Sequence, residues 1–327
     1  MESKQIQFCP SIYEHAARVI DKSPWEVSRD VGLLSRAHTE AYRLYGHRPV
    51  VVGIDIYNLE AEAYGAVVGR AAGNAIPAIR EYPCSSAREL LSLKPFDPKT
   101  AGRIPMVIEA AKRVRGNCPD ADVRIPLSGP FSLAANLVGF ENLLCEIHIN
   151  PDLAAEVLLH LVAGQVEFCK EIVRNGLDIA LFESGAVPPL LSPQQFRQIE
   201  LGALKEIMQK TAAVAGHPVP CIMGGDTLPI LDDILSTGTD YVCCPAKTNQ
   251  RKFMEKMRDR PEVTVRINMD ARAITSKNIG EIEKEVDRIL ALADNRPNIC
   301  IGTGCLPYEA EPEVVLKTKQ YILSNNV

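Results

Sequence analysis

The side chains able to do chemistry gather at the ends of short apolar runs in this sequence. GIDIYNLEAEAYG supplies Asp55, Tyr57, Asn58, Glu60 and Glu62 within eight residues. In an extended loop Glu60 and Glu62 would face one way, between Leu59, Ala61 and Ala63. Two carboxylates on one wall have pKa values pushed apart, which serves acid–base work. The plainer alternative is a solvated acidic loop. Glu183 follows Ile179, Ala180, Leu181 and Phe182 in LFESGAVPP. Partial desolvation there would raise its pKa and suit it to proton donation or metal ligation; alternatively it caps loop N–H groups. VRINMD puts Arg266 and Asn268 on one strand face, to meet a substrate or an acidic partner. Asp55, Tyr57 and Asn58 join them as candidate binding residues.

VPCIMGGDT, residues 219–227, raises the question of a metal. Cys221 and Met223 share a strand face, and Asp226, a further candidate proton donor, lies beyond two glycines. Cys305 ends another run, IGTGC, whose Gly302 and Gly304 would let a ligand approach the backbone and whose N–H groups could hold an anion. Cys221 and Cys305 could bind zinc if Glu183 or His217 joined them. Methionine is a poor zinc ligand, and buried thiols more often serve as small hydrophobes.

These residues need strands to position them. Eight candidates stand at 49–57, 80–84, 122–128, 178–184, 219–223, 240–245, 263–268 and 298–304. Amphipathic segments lie between them: one from Arg103 to Gly116, one from Asn150 to Asn175 between NPD and NG, and others opening at Ser192-Pro193, Asn278 and Glu311-Pro312. Alternating strands and helices predict an α/β protein, a (β/α)₈ TIM barrel over residues 49–327 with a helical N-terminal extension over 1–48. No glycine-rich turn follows the first strand, as a dinucleotide-binding sheet would want. The barrel reading places active groups at the C-terminal strand ends.

Composition narrows the class. A formal charge of −5 over 327 residues argues against nucleic-acid binding, and 24% charged with 46% apolar residues fits a soluble globular chain. No apolar run is long enough to cross a bilayer, and MESKQIQFCPS lacks a signal-peptide core. Ten cysteines without framework spacing predict free thiols in a reducing cytoplasm. Trp25, Tyr42 and Tyr45 in the extension could cover the barrel's N-terminal rim or pair with a second subunit in a homodimer.

LSGPFSLAANLVGFENLLCEIHINPD (127–152), GGDTLPILDDILSTGTDYV and IGTGCLPYEAEPEVV together resemble the uroporphyrinogen decarboxylase superfamily, from about Pro49 to the C-terminus. The resemblance implies a (β/α)₈ barrel and one of two chemistries. True decarboxylases of the superfamily grip a tetrapyrrole's carboxylates with an arginine-containing N-terminal loop. Here SRDVGLLSRAHTEAYRLYG stands instead, its Arg29 and Arg36 are outside that pattern, and the strand-one loop is acidic. NLEAEAYGA (58–66) is similar to a stretch of the corrinoid-dependent methyltransferases, the other branch. That likeness implies transfer of a methyl group between a small methylated compound and a corrinoid (cobalamin) carried by a partner protein. Thiol-methylating members hold zinc with His-x-Cys and a later Cys; here the positions read Cys221, Met223 and Cys305. Without zinc, the implied reaction is demethylation, with leaving-group protonation by Glu183, Asp226 or the Glu60/Glu62 pair and orientation by Tyr57 and Asn268. The alternatives are a cofactor-independent decarboxylase and a non-catalytic barrel that binds a ligand or a corrinoid protein.

Overall fold

Seven of the eight expected runs contribute a strand to one curled parallel sheet, and the eighth strand comes from a segment the apolar pattern passes over. The computed structural model describes residues 6–293 and 296–325. In chain order the strands are β1 (Gln7–Ser11), β2 (Val50–Val51), β3 (Val123–Ser128), β4 (Asp178–Glu183), β5 (Cys221–Met223), β6 (Tyr241–Cys244), β7 (Thr264–Met269) and β8 (Ile299–Cys305). Spatially the order runs β1-β8-β7-β6-β5-β4-β3-β2. The sheet curls so that its first and last strands meet: the Cys9 thiol of β1 bonds the backbone of Arg48 just before β2. This is an α/β architecture of the TIM-barrel kind.

Two strand expectations are corrected. Residues 80–84 do not enter the sheet. Ala78–Glu81 pairs antiparallel with Val67–Gly69 in a small, mostly exposed hairpin outside it. The sheet position is taken by β1, inside the segment read as wholly helical. QFCPS carries Pro10, which cannot donate to a ladder, and its register with β8 slips between Cys9 and Ser11. A five-residue strand with a proline and little alternation gives no sequence signal; pairing with β8 makes it a strand.

The helical expectations hold well. Ser23 and Ser192 each build a capping box, with Glu26 and Gln195, where Ser-Pro marks the start. Asn150 accepts from Leu153 N at the head of Pro151–Arg174. Val31–Tyr45 packs on Ile104–Asn117, and Tyr42 and Tyr45 are spent inside the chain, on Asp120 at 2.7 Å and His15 at 2.9 Å. Among the described residues no helix is long and apolar enough to cross a membrane.

The apolar side chains divide into two clusters by strand parity. Ile179, Leu181, Cys221, Met223, Cys244, Val265, Ile267, Met269 and Ile301 belong to the large core between sheet and helices. Tyr13, Val51, Ala180, Phe182, Ile222 and Cys243 form a smaller cluster within the curl, with Tyr57 and Tyr241 against it. Parity therefore decides which strand residues face the barrel interior.

Candidate active site

Glu183 has the wrong parity. Phe182 faces the interior, so Glu183 points outward and is fully buried against the helix Pro130–Val138. Its carboxylate accepts from Ser132 Oγ (2.6 Å), Ser132 N (3.0 Å), Gly185 N (2.8 Å) and Ala186 N (3.3 Å). Burial raises its pKa and these four donors oppose the rise. Gly129 lacks a Cβ because one there would sit 2.6 Å from Glu183 Cβ. Glu183 thus ties a strand end to a helix N-terminus, the capping role. Beside it Glu200, on a π-turn at Phe196–Glu200, is fully buried; burial first and Glu183 second push its pKa far up, against a lowering by the Phe131 backbone.

Glu60 and Glu62 do not share a wall. They lie on the short helix Leu59–Ala63, not an extended loop, and two positions apart on a helix is opposite faces. Glu60 is wholly buried and accepts from Ser128 N at 2.6 Å and Gln165 Nε2 at 3.2 Å; burial raises its pKa to about 7. Glu62 pairs with Arg29 at 2.5 Å and with Arg103. Arg103 also forks onto Asp55, at 2.8 and 2.7 Å, so Asp55 is committed to an ion pair. Arg29 stacks on Trp25, 4.6 Å from the ring centroid, which fixes that side chain within the chain. Asn58 donates to Asp55 and to Pro77 O, binding the hairpin loop to this network.

Cys221 and Met223 also have outward parity; the interior residue of β5 is Ile222. Cys305 sits exposed at the end of β8. Of the pair expected to share zinc, one is therefore buried in the core and the other exposed at a strand end, and no group of three potential ligands occurs among the described residues. The residues present do not fit a zinc site. His217 is on the surface, 3.4 Å from Asp178.

The residues brought together at the C-terminal mouth and in the interior are others. Tyr57 Oη is 2.6 Å from Ser184 Oγ, bridging the loops after β2 and β4; burial raises the phenol's pKa, so it remains a hydrogen-bond donor. Asp226 accepts from Thr248 Oγ1 at 2.6 Å beyond β5. Tyr13, after β1, meets Phe182 edge to face at 5.9 Å. Arg266 and Asn268 face inward, as expected from their alternation, and both lie over Gly302: a Cβ there would be 2.5 Å from Arg266 Cδ and from Asn268 Oδ1. Gly302 thus makes room for side chains, whereas around Gly304 the nearest atom to such a Cβ is Ala271 Cβ at 3.9 Å. Cys243 and Cys300 stand in register with Arg266 on the neighbouring strands. Cys9 bonds Cys300, which lowers the Cys9 pKa, and Arg266 lowers it further. The sequence reading missed Tyr13, Ser184, Cys9, Cys243 and Cys300. Parity across VCC would have found Cys243; Tyr13 depends on β1, which leaves no periodic signal.

A family model described as Uroporphyrinogen decarboxylase (URO-D) matches residues 6–318. Among solved structures, a methyltransferase from Methanosarcina mazei superposes with a TM-score of 0.84 at 20% identity, over 98% of this chain and 94% of that one. The carboxyl transferase domain of Rhizobium etli pyruvate carboxylase gives 0.42 at 11% identity, over 99% and 48%. The first likeness is one of fold, and the second carries no argument. A search of curated proteins gave no match.

Proposed function

The chain belongs to the uroporphyrinogen decarboxylase family, and we propose that within it this protein transfers a methyl group between a small methylated compound and a corrinoid presented by a partner protein. The observation that carries this reading is the narrowness of the interior. Tyr13, Tyr57, Phe182 and Ile222 fill the curl beneath the mouth, and Arg266 is the one guanidinium among them. A tetrapyrrole with many carboxylates needs a wide, basic mouth; this interior suits a small molecule. A corrin ring is likewise too large to enter, so the partner would present it at the rim. The corrinoid, when docked, supplies the cobalt that takes or gives the methyl group.

The chain's own residues hold the small molecule and manage its proton. Tyr57, neutral and tied to Ser184, can donate a hydrogen bond or proton to a leaving oxygen at the mouth. Asn268 and Arg266 lie deeper and orient the rest of the molecule. Asp226, half-buried beside Thr248, is the carboxylate left at the mouth for proton exchange with solvent. The compartment proposed is the cytoplasm, consistent with ten free thiols.

The test is spectroscopic. Protein mixed with reduced cobalamin and a panel of small methyl ethers and amines should convert the cobalamin spectrum to the methylated form with at least one donor. Tyr57→Phe should slow that conversion by about 10²-fold, the usual weight of a positioned acid. Release of CO₂ from a carboxylated compound without cobalamin, and no spectral change with any donor, would replace the reading by decarboxylation.

A further inference from the structure

The base of the barrel, at the opposite end from the mouth, holds a cluster of thiols that the methyl-transfer reading does not use. Cys9 on β1 and Cys300 on β8 line a cavity of about 320 Å³. Its walls include Gln7, Tyr241, Thr264 and Ile299, each the first residue of its strand, and it reaches solvent beside the exposed Arg48. Both thiols are 5% exposed, so this cavity is their way out.

The sheet register brings a guanidinium to one of them. Arg266 on β7 pairs with Cys300, and its stem runs over Gly302, where a Cβ would stand 2.5 Å from Arg266 Cδ. Gly302 pairs in turn with Cys9. The guanidinium therefore crosses β8 at a position without a side chain and reaches β1 at Cys9. The two residues share a void of about 10 Å³, room for a single water. Arg266 is 5% exposed and its Nε has no hydrogen-bond partner. The groups acting on it are the thiols of Cys243 and Cys300 and the phenols of Tyr241 and Tyr13, with no carboxylate among them. A guanidinium cannot shed its proton inside a protein, so a buried one without a counter-charge is a standing cost.

The groups able to supply that charge separate by surroundings. Burial pushes the phenols of Tyr13 and Tyr241 up, and the Cys243 thiol too, although Cys243 also bonds Arg266. Cys300 is pushed up by its contact with Cys9 and then by burial, so it keeps its proton and donates it. Tyr241 Oη lies 3.7 Å from Cys300 Sγ on its other side. Cys9 moves down instead, through the Cys300 hydrogen bond first and against its own burial, and Arg266 adds to the effect.

We propose that Cys9 is held as a thiolate against Arg266 and is the thiol of this chain that small electrophiles modify, peroxide first among them, entering by the cavity at the barrel base. The Cys9 sulfur attacks one peroxide oxygen and the O–O bond breaks. Sulfur is oxidised to a sulfenic acid, the peroxide is reduced, and the departing hydroxide takes a proton from solvent and leaves as water. Cys300 stands two register positions from Cys9. Such diagonal neighbours are about 7–8 Å apart at Cα, beyond a relaxed disulfide, so the product stays a sulfenic acid.

The experiment is alkylation of the native full chain by iodoacetamide, each thiol being followed by mass spectrometry; it needs neither a methyl donor nor a corrinoid. Between about pH 6 and 7.5 an ordinary thiol such as exposed Cys145 should react about 30-fold faster, as its thiolate fraction grows. Cys9 should change less than about threefold, being ionised throughout. Cys169, fully buried with its thiol pushed up to about 12, should stay unlabelled. Arg266→Met should give Cys9 the ordinary rise and leave Cys145 unchanged. Thiolate absorbance covers the case in which that variant fails to fold: at about pH 6.5 Cys9→Ser should lose one equivalent and Cys243→Ser none. Peroxide followed by dimedone should put its adduct on Cys9 before any other position. A Cys9 rate that climbs with pH like that of Cys145, or is unaltered in a folded Arg266→Met, overturns the proposal. So does a thiolate lost in Cys243→Ser and kept in Cys9→Ser, which would make Cys243 the counter-ion. A dimedone adduct on Cys145 with Cys9 unmodified overturns it as well.

Discussion

Two buried carboxylates, Glu183 and Glu14, have measurable signatures in stability. Glu183 accepts four hydrogen bonds and donates none. Glu183→Gln turns one acceptor into a donor facing donors, and chemical denaturation should show a loss of about 2 kcal/mol. Glu14, at the helix start after Tyr13, is buried with Oε2 unpartnered, and burial, then Glu309, raises its pKa to about 7. The folded value lies above the unfolded one, so the folded chain holds the proton longer. Stability from this group is complete below about pH 4.5 and is lost as pH rises towards 7. The loss is up to about 3 kcal/mol at ~1.4 kcal/mol per pH unit. Glu14→Gln should flatten that decline, with Tm unchanged near pH 4.5 and higher than the parent's at pH 8. A pH series of melts on both proteins reads it directly. Glu183 was legible in the sequence as an acid at a strand end, whereas Glu14, in a segment with no periodic signal, was not singled out. The direction of Glu183 was not legible, because whether it faces the interior or the helices depends on the parity of β4, and its apolar run is buried on both faces.

At the scale of elements, two glycines give opposite forecasts from similar crowding. Gly129 sits at ordinary backbone angles, and a methyl there drives into the fixed Glu183 carboxylate between β4 and the helix Pro130–Val138. Gly129→Ala should cost about 3 kcal/mol or leave no soluble protein. Gly302→Ala pushes on the flexible stem of Arg266 and the end of Asn268. It should cost only about 1 kcal/mol by denaturation. The strands on which this contrast depends were largely readable: 122–128, 178–184, 219–223, 240–245, 263–268 and 298–304 are apolar runs that became β3 to β8. The 49–57 run shrank to Val50–Val51, because the chain turns at 54–57 to aim Tyr57 across the mouth. The hairpin and β1 were misjudged for a shared reason. The 80–84 run offered Tyr82 as a strand former, but the strand there, Ala78–Glu81, has only Val67–Gly69 to pair with, whereas Gln7–Ser11 has poor residues and a full neighbour in β8. Pairing overrode propensity in both.

For the whole molecule, the extension expected over 1–48 is joined to the barrel through β1, which borders β8 and supplies Tyr13 to the interior. Ser11 N bonds Thr303 Oγ1 at 3.1 Å, and Leu306 N bonds Ser11 O at the same distance. A chain lacking residues 1–11 should therefore lose its cooperative thermal transition and elute as aggregates in size-exclusion chromatography. A monomer melting like the parent would show that β8 does not need this neighbour. The pairing Cys9↔Gly302 also has a consequence in time. The strand synthesised first has its partner in the strand synthesised last, and at about 5–20 residues per second the ribosome delivers that partner about 15–60 s later. Until then Phe8 and Cys9 lack their neighbours Ile301 and Gly302 in β8. The barrel can close only after β8 has left the ribosome, and any helper that shields the nascent chain must hold β1 until β8 arrives.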